Sequence, residues 1–158
     1  MVTDELLVAD SLIERTDRKL LDAEREIAIG ALSRREGVTL KRTRGILYSS
    51  VDGSLRAACP VSRRYTRVAA PYYWYGYSEE WPSFLSQCER SFLLLGCMDK
   101  DFAYAIPNDT IAKLLTQLYK TPGTHWHIIV EENAPGQLDL SIPGGAEVPL
   151  GNFELKLT

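Results

Sequence analysis

Half of the chain's 18 cationic side chains fall within residues 34–67: Arg34, Arg35, Lys41, Arg42, Arg44, Arg56, Arg63, Arg64 and Arg67, against only Glu36 and Asp52. That stretch carries +7 in a chain whose total is −3, so the remainder carries −10. Eight of the nine are Arg, the side chain suited to forked contacts with phosphate and carboxylate and to stacking on planar groups. A clustered basic face on a mildly acidic protein is an electrostatic footprint for nucleic acid or another polyanion. The plain alternative is a solvated hairpin whose arginines pair with the acidic N-terminal segment. Overlapping and following the basic stretch lie eight of the 15 aromatics: Tyr65, Tyr72, Tyr73, Trp74, Tyr75, Tyr77, Trp81 and Phe84. Rings beside cations offer platforms on which unstacked bases can lie. Strand alternation would send Tyr73, Tyr75 and Tyr77 into a core and leave Tyr72 and Trp74 facing out.

Carboxylates and imidazoles supply the other candidate chemistry. Leu20, Ile27 and Ala31 recur at helical spacing as a predicted buried stripe, and Glu24 falls inside it. A buried carboxylate costs on the order of several kcal/mol unless it is paired or metal-bound, so Glu24 calls for a hairpin arginine or a cation. Asp52 is the only acid between Val38 and Tyr65. His125 and His127 alternate along a predicted strand and so share one face, where a metal would need a third, distant ligand. Asp139 with Glu154-Leu155-Lys156 obeys a D…E-x-K spacing, a pattern of common residues that arises by chance in most chains. Ser62 has no G-x-S-x-G elbow around it, and no phosphate-loop motif is present. Cys59, Cys88 and Cys97 are odd in number and lack C-x-x-C spacing, which argues against a disulfide framework or a zinc cluster.

These groups need elements to position them. The chain, 158 residues long, fits one α+β domain: 1–36 helical, 37–119 a core, 120–158 a β tail. Helix is predicted from residue 4 to about 35, with Ser11-Leu12-Ile13-Glu14 at capping-box spacing. Val38–Tyr48 and Leu55–Tyr65 read as a hairpin turned at Asp52-Gly53, with Pro60 breaking the returning strand. Tyr72–Tyr77 reads as an aromatic strand and Phe84–Cys88 as a helical turn. Phe92–Cys97 is an apolar run of the kind buried on both faces, with Phe102–Ile106 returning beside it. A helix over Ile111–Tyr119 and strands at Trp126–Val130, Leu138–Ile142 and Phe153–Leu157 complete one mixed sheet. No apolar run approaches about 18 residues, so no membrane span is expected. The acidic start lacks the features of a secretion signal, and a cytoplasmic location is expected.

The element order resembles that of the PD-(D/E)XK nuclease-like (restriction-endonuclease-like) group. The resemblance covers roughly residues 17–119 and rests on Ala58-Cys59-Pro60-Val61-Ser62-Arg63-Arg64, on Tyr73-Trp74-Tyr75, and on Phe92–Gly96 with Ala105-Ile106-Pro107. It implies a metal site of acidic side chains and a Lys beside the attacking water. Carried onto this chain, Glu24 matches the helix carboxylate and Asp52 the hairpin acid, while Ser62 and Arg63 stand where the group has its E-x-K pair. Arg does not deprotonate and is a poor replacement for a Lys that tunes a water.

The reading that follows is a nucleic-acid-binding domain of nuclease-like architecture, of the kind found in a restriction, repair or anti-phage defence system, without an intact catalytic set and requiring no cofactor. DNA or RNA would meet Arg42, Arg44, Arg56, Arg63, Arg64 and Arg67, with Tyr72 or Trp74 stacking on a base. One alternative is an active nuclease using Glu24, Asp52 and Arg63 with Mg²⁺ or Mn²⁺. Another is a protein-interaction module docking a partner through residues 65–84.

Overall fold

The computed structural model describes residues 18–66 and 70–158. The start of the predicted N-terminal helix, its capping box at Ser11 and the basic residue Arg67 lie outside the described residues. The class is α+β. Helix α1 (Arg18–Glu36) precedes strands β1 (Leu40–Arg44), β2 (Leu47–Ser50), β3 (Leu55–Ala58), β4 (Val61–Ser62) and β5 (Tyr72–Ser78). Next come α2 (Trp81–Leu85), β6 (Arg90–Cys97), β7 (Phe102–Pro107), α3 (Asn108–Leu115), β8 (Lys120–Thr121), β9 (His125–Ala134), β10 (Gln137–Ser141), β11 (Glu147–Pro149) and β12 (Glu154–Lys156).

The expected central mixed sheet is present, and a second, antiparallel sheet lies against it. The first has the order β1-β2-β3-β6-β7-β12, with β4 also on β6, and β3 and β4 run parallel to β6. The second has the order β11-β10-β9-β5, with β8 also on β9. The β tail is therefore divided: β12 closes the first sheet on β7, while β9 to β11 build the second. The segment read as one strand over Val38–Tyr48 is itself a hairpin, because Gly45 turns the chain at φ 54°. Gly53 (φ 78°) makes the predicted turn, and Pro60 divides β3 from β4 as its missing N–H requires.

Three layers result. Leu93, Leu95, Tyr104 and Ile106 of the mixed sheet meet Tyr73, Tyr75, Tyr77, Ile128, Val130, Leu138 and Leu140 of the other in one core. On the opposite face of the mixed sheet, α1 packs through Ala28, Ile29 and Leu32 on Ala57, Leu94, Ala103 and Ala105. Strand β6 is thus buried on both faces, as its apolar run predicts. Gly96 is required by the approach of β4: a Cβ there would lie 2.9 Å from Val61 Cγ2. Valine is stiff at χ1, so the strands would have to separate. Gly96→Ala is therefore expected to cost about 1–3 kcal/mol in a urea titration, and Val61→Ala in the same chain should recover part of it.

The register of α1 differs from the sequence expectation. Leu20 and Ile27 are 58% and 51% exposed; Ala31 is buried as expected, but at the margin of a buried face made of Leu21, Arg25, Ala28, Ile29 and Leu32. The two stripes differ by one residue, a rotation of about 100°. Ala28, Ile29 and Leu32 together pack on the sheet surface of Ala57, Leu94, Ala103 and Ala105. The charge beneath the helix is consequently Arg25, and Glu24 sits at the margin of the interface, half-buried.

Candidate nucleic-acid interface

After Pro60 the chain leaves the first sheet for the second, and Ser62 fastens the crossing. Its buried hydroxyl donates to the Arg63 carbonyl at 2.7 Å and accepts the Trp74 N–H at 3.0 Å. The hydroxyl proton is thus directed at a backbone carbonyl rather than at a base. The fastening sets Arg63 and Trp74 over one cleft of about 380 Å³, whose lining also includes Arg25, Gly76, Trp81 and His125. A volume of this size falls in the ordinary range of small-ligand pockets, roughly 300–1,000 Å³.

Arg25 forms part of the cleft wall from beneath α1. Its side chain is 9% exposed, its Nε donates to the Cys59 carbonyl at 2.8 Å and its Nη1 meets Asp22 at 2.6 Å. Arg63 is exposed, lies over the Tyr65 ring at 5.2 Å, and has no carboxylate partner among the described residues. The neighbouring acids are taken up elsewhere: Glu79 by Lys120 at 2.9 Å and Glu80 by Arg44 at 4.0 Å. Arg63 therefore keeps its charge available at this opening.

The aromatic side is held by a hydrogen-bonded pair. Trp74 Nε1 donates to His127 Nδ1 at 3.1 Å, which places the imidazole proton on Nε2, where it reaches Thr121 Oγ1 at 2.7 Å. His125 lies beside it, ring centroids 4.7 Å apart, and its Nε2 is buried without a partner. Burial lowers the pKa of both imidazoles, and His125 adds to the effect on His127. A histidine whose folded pKa is depressed stabilises the fold above its ordinary value near 6.5, and that contribution is lost as pH falls toward the folded pKa. His127→Phe removes both hydrogen bonds, so it should cost about 1–3 kcal/mol at pH ~8. The gap between wild type and variant should then narrow toward pH ~5, read by chemical denaturation across the range.

The other predicted contact residues divide. Arg64 is held by Asp99 at 3.2 Å and Glu132 at 3.1 Å, in a network joining the two sheets that also contains Lys100 and Tyr73. Burial works to raise Glu132, but the Gly136 N–H and Lys100 outweigh it and hold the carboxyl below its usual range. Arg56 donates to the Phe84 carbonyl and to Gln87, and stacks on the Phe84 ring at 4.5 Å. With Arg44 it lines a shallow depression on the same side as α2. Arg42 lies exposed on β1, 3.4 Å from Glu26. The hairpin is therefore not one continuous contact face, because the guanidinium groups of Arg56 and Arg64 are used to join elements.

Tyr72 is not an outward platform: it is 6% exposed and stacked on Tyr65, centroids 5.2 Å apart. Burial likewise withdraws most of the aromatic rings of the expected docking segment, residues 65–84, from the surface. Tyr65, Tyr72, Tyr73, Tyr75, Tyr77, Trp81 and Phe84 are all buried, and Trp74 alone of the eight is half-buried.

The three proposed catalytic residues do not converge. Asp52 caps the β2–β3 turn, where first the Ser54 N–H and then the Ser50 and Ser54 hydroxyls lower its pKa to about 2. Leu55 pairs with Arg90 and Val61 with Gly96, so the turn and Arg63 lie at opposite ends of β6, roughly 20 Å apart at about 3.3 Å per residue. Glu24 has no arginine partner among the described residues, since the hairpin guanidinium of Arg42 goes to Glu26, and burial raises its pKa. Asp139 belongs to the second sheet, whereas Glu154 and Lys156 lie on the first. Among the described residues no group of three or more His, Cys, Asp and Glu is arranged to hold a metal ion.

Sequence reading missed Arg25, Trp81 and His125 as partners of Arg63 and Trp74. The signal for Arg25 was present: Leu21, Arg25, Ala28 and Leu32 form a stripe as regular as the one chosen. No family model, curated protein or solved structure matches this chain.

Proposed function

We propose that this domain binds nucleic acid through Arg63 and the cleft it overhangs, with the exposed cations of β1, Lys41, Arg42 and Arg44, extending the contact. The observation that carries this reading is the juxtaposition of an uncompensated arginine with a held tryptophan, Arg63 and Trp74, in one cleft. Arginine supplies a phosphate contact and the ring a surface for a base. The resemblance in element order to the PD-(D/E)XK nuclease-like group supports a binding module of a restriction, repair or anti-phage system. The separation of Glu24, Asp52 and Arg63 favours binding over cleavage. All three cysteines are unpaired, which supports work in a reducing compartment such as the cytoplasm. No described helix is long and apolar enough to cross a membrane.

Fluorescence anisotropy of a labelled oligonucleotide against salt concentration tests the reading. The logarithm of the association constant should fall linearly with the logarithm of salt, with a slope of about −2 to −4 for the few phosphates this surface reaches. Binding that is absent at low salt, or indifferent to salt, contradicts it.

A further inference from the structure

We infer that the cleft seats one unstacked nucleotide, its base against Trp74 and His125 and its phosphate at Arg63. This inference rests on the nucleic-acid reading and adds to it the form of the ligand: a single strand, or a base drawn out of a duplex. Three features point to this ligand. The cleft holds about 380 Å³, room for a base and its sugar and too little for a double helix. Its two cations differ in kind. Arg25 is buried and fixed by Asp22 and the Cys59 carbonyl, whereas Arg63 is exposed at 5.2 Å over Tyr65. Arg63 therefore keeps its charge free for a phosphate entering from solvent, while Arg25 forms a fixed wall.

Trp74 is positioned before any ligand arrives, by its backbone bond to Ser62 and its indole bond to His127. Gly76 keeps the approach clear, because a Cβ there would lie 3.3 Å from both the Trp74 ring and the His125 ring. Duplex DNA or RNA presents its bases stacked and paired, so entry would require opening at a cost of a few kcal/mol.

The test compares three labelled 20-nucleotide probes at low salt: a mixed-sequence single strand, its duplex, and a single strand of the same length made wholly of abasic units. The mixed strand also carries 2-aminopurine as a fluorescent base. Expected are binding to the single strand at least about tenfold tighter than to the duplex, a loss of about 5–100-fold for the abasic strand, and quenching of the 2-aminopurine. Trp74→Ala should abolish the quenching with an affinity loss of about 5–100-fold, and Trp74→Phe, which keeps a ring and the core contacts, should lose less. Circular dichroism confirms that each variant is folded, and Trp74→Phe carries the comparison where Trp74→Ala is not. Equal, salt-dependent binding of all three probes without quenching overturns this inference and leaves the proposed function standing. No salt-dependent binding to any probe overturns both.

Discussion

Leu32→Ala should cost about 2–5 kcal/mol of stability, while Ile27→Ala, five positions earlier on the same helix, should change it by no more than about 0.5 kcal/mol. Leu32 is fully buried between α1 and the mixed sheet, whereas Ile27 is 51% exposed. The large loss has two sources: removal of buried methylenes from contact with Leu94 and its neighbours, and a cavity the rigid sheet cannot collapse to fill. The pair of variants also reads the rotation of the helix directly. If the stripe containing Glu24 were the buried one, Ile27→Ala would be the damaging substitution. Urea denaturation with a common slope for both variants decides between the two rotations.

Arg63→Glu should lower affinity for single-stranded nucleic acid by about 10–100-fold, the worth of one charge-assisted contact. The same reversal should make the salt slope shallower by about one. Its stability should hardly change, because the side chain is exposed and engages no carboxylate among the described residues. Arg64→Gln should behave in the opposite way. Its guanidinium is already held by Asp99 and Glu132, so the loss falls on the joint between the two sheets and affinity changes little. Neighbours in sequence, equal in charge and both assigned to phosphate contact by composition, are thus separable by one measurement of affinity and one of unfolding.

That contrast shows where sequence reading succeeds and where it stops. Period-two alternation was enough to bury Tyr73, Tyr75 and Tyr77, and the unbroken run Phe92–Cys97 was enough to place β6 at the centre, because burial on a strand is a local pattern. Asp52-Gly53 and Pro60 marked their turns for equally local reasons. Gly45 escaped notice because the residues on either side, Arg44 and Ile46, carry no turn signature, and only its positive φ produces the hairpin. Tyr72 was misplaced because a stacking partner, Tyr65, covers the outward face of its strand. The rotation of α1 depended on the sheet surface opposite it, which Ala57, Leu94, Ala103 and Ala105 supply from distant parts of the chain. The candidate site suffered in the same way. Arg63 and Trp74 were visible from charge and ring clustering, but Arg25 and His125 reach the cleft from strands and helices whose neighbourhood exists only once the chain has folded.

The basic stretch also acquires a more exact meaning. Its +7 is not a single surface: Arg56 and Arg64 hold α2 and the second sheet in place, Arg42 and Arg44 line an exposed edge strand, and Arg63 stands alone above the cleft. Charged side chains on β1 also guard that sheet edge against pairing with another chain, so part of the cluster serves solubility whatever else it does.

Photo-crosslinking tests the central claim most directly. A single-stranded oligonucleotide carrying 5-iodouracil, irradiated with the protein at low salt and followed by peptide mapping, should attach within the segments that hold Trp74 and Trp81 or His125, and attachment should disappear in Arg63→Glu. Attachment confined to the acidic second-sheet edge around Asp139 and Glu147, or none under conditions where binding is saturated, would contradict it.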